Sequence, residues 1–261
     1  MPTTDTALPE ASPLPEIGRI TLRELFVSLK EGWRDFRAGP QYGVFFSAVY
    51  VVGGLLLWHL NAGALSWTLA LALGFPLVAP FAAVGLYEVS RRLEAQEPLA
   101  WSGILSVVRD ERHRQLPWMG AIIIIYFLAW NFIAHLIFGL FLGASAFIDI
   151  TSSFHMFTTR RGMAMLAVGS LAGAALAFLL FSLTVVSLPM LVDREVDFVT
   201  AMLVSLRTVR RNLPVMVVWA LVIAVATLLA LIPAFLGLLV VLPLLGHATW
   251  HLYRRALYFP A

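Results

Sequence analysis

Cysteine is absent from this chain and charge is scarce: 13% of its 261 residues are Asp, Glu, Lys or Arg. Without cysteine there is no disulfide, no thiolate metal site, no iron–sulfur cluster and no thiol nucleophile. A soluble domain carries about 25% charged residues, so the shortage points to lipid as the solvent. The composition agrees, at 60% hydrophobic with a mean hydropathy of +0.86. Its apolar runs reach the roughly 20 residues that a membrane-spanning helix needs. No signal peptide is expected at the N-terminus either. Residues 1–18 hold four prolines and several acids but no apolar core, and read as a disordered tail. Residues 19–261 then form a single membrane domain.

The expected fold is all-α: a polytopic helix bundle with six transmembrane helices. The spans are about Tyr42–Leu60, Leu65–Tyr87, Trp118–Leu142 and Met163–Val192, followed by Leu213–Leu252. That last stretch is twice the length one crossing requires. Pro233 and Gly237 interrupt it, so it divides into a hairpin near Pro233. Basic residues fix the orientation. Sixteen of the 18 fall in the N-terminal segment, in the loops after the second and fourth spans, or at the C-terminus. Only Arg160 and Arg161 lie on the other side. The positive-inside rule therefore puts both termini in the cytoplasm, and six spans preserve that asymmetry. The pI near 9.6 reflects cations beside anionic headgroups, so no nucleic-acid partner is required.

Each pair of spans is preceded by an amphipathic basic segment. The apolar faces are Leu22, Leu25, Phe26, Leu29, Trp33 and Phe36; then Trp101, Ile104, Leu105 and Val108; then Phe198, Met202, Leu206 and Val209. Three cytoplasmic helices lying in the interface are expected. Every one ends in Arg-x-x-Pro, at Arg37, Arg114 and Arg211. Proline suits the first position of a helix, where its missing N–H costs nothing, and arginine just outside meets phosphate. A threefold hairpin repeat, with units of about 19–95, 96–195 and 196–261, follows from this pattern. An alternative is that arginines and prolines gather at any such boundary. A second echo, Pro-x10-Arg-Arg, joins Pro80–Arg92 to Pro243–Arg255. The lipid-headgroup contacts expected are Arg37, Arg91, Arg92, Arg114, Arg211, Arg254 and Arg255.

Reactive constellations are few. His247 and His251 stand four apart, as zinc ligands on a helix would, but Ala248 replaces the glutamate that activates water and no third ligand is placed. With Trp250 they read as an interfacial site in an aromatic belt, and no metal is assigned. Asn131 and His135 share a face inside the third span and form a candidate intramembrane polar site. Gly169, Gly173 and Ala177 make a small-residue seam for another helix of the chain. The cluster from Asp193 to Asp197 reads as an ion-paired, capped turn. Neither a phosphate-binding Gly-Lys loop nor a serine elbow occurs, and no catalytic residue or cofactor is assigned.

The stretches "GWRDFRAGP", "APFAAVGLYEVSRRLE", "LVDREVDFVTAM" and "LPLLGHATWHLYRR" are similar to a bacterial family of integral membrane proteins named "domain of unknown function 2189". That resemblance runs from about Ile17 to the end. It implies a multi-pass inner-membrane protein with no assigned activity and carries no site residues with it. The expected function is a non-enzymatic scaffold, assembly or envelope-maintenance factor of the bacterial inner membrane. The alternative is a small-solute or lipid transporter. Expected partners are the lipid bilayer, its anionic phospholipid headgroups and a membrane protein.

Overall fold

The computed structural model describes residues 14–60, 75–111, 114–143 and 155–259. The helices among them are α1 (Leu22–Ala38), α2 (Pro40–His59), α3 (Phe75–Glu94), α4 (Trp101–Glu111), α5 (Leu116–Leu142), α6 (His155–Thr158), α7 (Arg160–Thr184), α8 (Ser187–Asp193), α9 (Phe198–Arg211), α10 (Leu213–Leu231) and α11 (Leu238–Ala256). Two short strands, β1 (Glu16–Ile17) and β2 (Leu257–Tyr258), pair antiparallel.

Among the described residues four segments are long and apolar enough to cross a bilayer: Pro40–His59, Leu116–Leu142, Arg160–Asp193 and Leu213–Leu231. They coincide with the first, third, fourth and fifth expected spans. Residues 65–74 of the second expected span lie outside the described residues, and its remainder opens α3. The sixth is α11, which is not among the four. Along α5 only 6% of the apolar window is buried, and Ile125, Phe132 and Leu140 are 63%, 69% and 75% exposed. Water would not tolerate such a face; hydrocarbon does, because the helix satisfies its own backbone.

Local chemistry sets the helix boundaries. Pro40, Pro117 and Pro214 each occupy the first or second position of a helix. Thr21 and Glu24 form a capping box at the start of α1. The chain turns between α10 and α11 through Pro233, with Ala234 (φ 49°) and Phe235 (φ 67°) in the left-handed region, so the hairpin break falls at the proline where the sequence puts it. Ser205 of α9 repairs the gap between α7 and α8: its hydroxyl accepts from the Val186 N–H at 3.2 Å and donates to the Ser182 carbonyl at 2.8 Å.

The central element is α11, packed against α1, α2, α3, α8 and α10. Helix α2 packs on α3, α5 on α7 and α10 on α11, and α3, α8 and α11 touch one another. Each amphipathic helix packs on one of those three: α4 on α3, α9 on α8, and α1 on α11.

The expected extent of the tail needs correction. The tail does not extend to residue 18, because Glu16 pairs with Tyr258, Ile17 with Leu257, and the Gly18 N–H donates to the Ala256 carbonyl at 2.8 Å. Residues 1–13 lie outside the described residues. The face of α1 that packs on protein comprises Leu25, Ser28, Gly32, Asp35 and Phe36, while Leu22, Phe26 and Trp33 of its apolar face stay exposed. Close approach decides this. A Cβ at Gly32 would lie 2.6 Å from the Ala248 nitrogen, so the small residues face α11 and the bulky ones face outward.

Candidate functional site: a buried polar cluster on the last helix

The histidines of α11 are held from two sides. Gly32 on α1 lets Ala248 approach, which brings Asp35 and Glu31 to the next turn of α11. His251 Nε2 donates to Asp35 Oδ2 at 2.6 Å, and its Nδ1 lies 3.4 Å from Glu31 Oε2. The same glutamate oxygen sits 2.7 Å from Arg255 Nη2, an ion pair not aligned as a hydrogen bond. From the other side, Ser90 of α3 shares a 2.8 Å hydrogen bond with His247 Nδ1. Burial alone would raise the Asp35 pKa. The hydrogen bond and charge of His251, the Ser90 hydroxyl and the nearby His247 outweigh it, and the carboxyl lies below the ordinary 3.8.

A second layer of charge ties the three contacting helices together at this end. Glu88, 1% exposed, receives Arg91 at 2.7 Å and Arg92 at 2.6 Å. Arg254 reaches Glu94 of α3 at 3.1 Å and Asp193 of α8 at 3.4 Å. Trp250 Nε1 donates to Glu94 at 3.0 Å, and the Tyr253 hydroxyl donates to Asp193 at 2.7 Å. Glu195 pairs with Arg114, and Asp197 caps α9 by accepting from the Thr200 N–H at 2.9 Å. The acidic run after α8 is thus the ion-paired, capped turn read from the sequence.

This geometry overturns the aromatic-belt reading of His247, Trp250 and His251. They are 0%, 1% and 6% exposed, inside the protein, because their polar atoms find partners on α1 and α3. Five expected headgroup arginines are engaged within the chain: Arg91, Arg92, Arg114, Arg254 and Arg255. Arg37 and Arg211 are exposed and carry no ion pair among the described residues. Sequence reasoning missed Glu31, Asp35, Glu88 and Ser90. The available signal was an acid, Asp35, three positions from Gly32 on the face of α1 that packs.

What the cluster can do chemically is limited by access. A catalytic serine needs a histidine whose far nitrogen is held by an acid. Here no acid among the described residues holds His247 Nε2, and Ser90 is fully buried. Among the described residues no three His, Asp or Glu side chains are grouped to hold a metal. The arrangement fits a clasp that docks α1 onto α11.

Asn131 and His135 do not line the cleft between α5 and α7. His135 Nδ1–H donates to the Asn131 backbone carbonyl at 2.8 Å, within one helix. A cleft of about 300 Å³ opens between α5 and α7, lined by Trp130, Phe138, Gly169, Ser170 and Gly173 among others, but by neither of those two residues. The small-residue seam of α7 faces this cleft, with nothing within 4 Å of a Cβ placed at Gly169.

Apolar helices that face outward and a charged clasp at one end go together with a match to one family of known sequences. Residues 68–193 match the family described as "Predicted integral membrane protein (DUF2189)". The matched region runs from the second expected span to the end of α8 and includes Glu88, Arg91 and Arg92. No curated protein and no solved structure matches the chain.

Proposed function

We propose that the protein is a non-enzymatic scaffold of the bacterial inner membrane, crossing it six times with both termini in the cytoplasm and serving assembly or envelope maintenance. The observation that carries this reading is the clasped basic end: α3, α8 and α11 are tied by Glu94, Asp193 and Arg254, and amphipathic helices are mounted around them. Such an end presents a rigid platform rather than a gate. A threefold arrangement has the same support, since each amphipathic helix rests on the closing helix of the preceding unit and α1 on the last. A transport role has less support, because Asn131 and His135 lie off the cleft.

Two measurements test the reading. Purification of the full chain after cross-linking in native membranes is expected to recover one membrane protein reproducibly and in fixed ratio; repeated recovery of the chain alone overturns the scaffold. The natural absence of cysteine makes single-thiol labelling unambiguous. Thr158→Cys is expected to react with an impermeant reagent applied outside intact cells, and Ser102→Cys only after lysis. Labelling of both from the same side overturns the topology.

A further inference from the structure

Once the internally paired arginines are set aside, the remaining cations are not scattered evenly. The Asn212 side chain joins two distant segments: its Oδ1 accepts from the Ile20 N–H at 2.7 Å, and its Nδ2 donates to the Gly18 carbonyl at 3.0 Å. This clamp sets the start of α1 beside the end of α9. It brings Arg19 and Arg23 from one segment together with Arg210 and Arg211 from the other, all four exposed and without an ion pair among the described residues. Of the nearby acids, Glu24 is turned back onto the backbone and hydroxyl of Thr21, and Glu16 lies one strand away in β1. Beside the arginines, Leu22 and Leu213 are 59% and 46% exposed, and Leu213 opens the apolar helix α10.

We propose that Arg19, Arg23, Arg210 and Arg211 form a headgroup site for an anionic phospholipid. Guanidinium groups grip phosphate oxygens in pairs, and the two leucines lie where the acyl chains begin. Asn212 acts by position, holding the two arginine pairs in register. The site rests on the reading above that this end of the molecule meets the membrane surface.

The test uses the full chain in nanodiscs of zwitterionic lipid doped with phosphatidylglycerol, reading the amount of phosphatidylglycerol retained through delipidation. Arg19→Gln/Arg211→Gln is expected to lower the affinity roughly five-fold per arginine removed, taking about 1 kcal/mol for each cation. Arg160→Gln/Arg161→Gln, which removes equal charge from the opposite end, is expected to retain the lipid. No loss in the first variant, or equal loss in the second, overturns the site. Inorganic phosphate forms a further arm: if it displaces phosphatidylglycerol at millimolar levels, the site belongs to a soluble anion and the lipid assignment falls. Thiol labelling of Thr158→Cys and Ser102→Cys reports topology independently, so a failed lipid site and a failed orientation give different results.

Discussion

Gly32 and Gly169 sit on helices of the same chain, and a methyl group would meet opposite surroundings at each. At Gly32 it would strike the backbone of Ala248, whereas at Gly169 it would find nothing within 4 Å. The contrast extends outward from both residues. Around Gly32, α1, α3 and α11 bury Asp35, Glu88, Ser90, His247 and His251 in contact with one another or with α3 arginines. Around Gly169, α5 and α7 leave an apolar cleft and turn most of their surface outward. Hydrocarbon gives no hydrophobic reason for helices to associate. Cohesion in such a protein must come from close backbone approach and polar partners, and here both are concentrated at the basic end.

The strongest test of that division is His251→Ala. Removing the partner of a buried carboxylate costs roughly 3–5 kcal/mol, and Asp35 is 1% exposed, so a large drop in thermal stability in detergent is expected. Gly32→Val follows: overpacking costs roughly 1–3 kcal/mol and should raise hydrogen exchange along α1 before the rest unfolds. Acid comes next. Asp35 has a lowered pKa in the folded protein, so its contribution is complete above the ordinary 3.8 and is lost as pH falls through the folded value. Melting temperatures measured across this range should decline, and Asp35→Asn should flatten the decline. The smallest effect is expected at the open end. Gly169→Ala should leave stability unchanged or raise it by up to about 1 kcal/mol, the helix-propensity gain over glycine. A loss there as large as that of Gly32→Val would erase the distinction between the two regions.

Some of this was legible in the residues. Proline placed the starts of α2, α5 and α10, and the break at Pro233 was visible, because these are local effects of a missing N–H. The face of α1 that packs on protein was not. Hydrophobic periodicity locates an apolar face but cannot tell whether lipid or protein covers it, and on α1 Phe26 and Trp33 went to the surface while Gly32 and Asp35 went inside. The histidines misled for a related reason. Their spacing on α11 is local, but their burial depends on Asp35 and Ser90, which are 216 and 157 residues away.

Those separations also bear on how the chain is made. The clasp on α1 and the pairing of β1 with β2 both join the beginning of the described chain to its final helix and strand. During synthesis α1 leaves the ribosome early, with its inward acid and glycine face lacking a counterpart until α11 has followed. The clasp therefore closes last, and a nascent chain stalled before residue 238 would carry α1 tethered at its start by Asn212 but with its acid and glycine face uncovered.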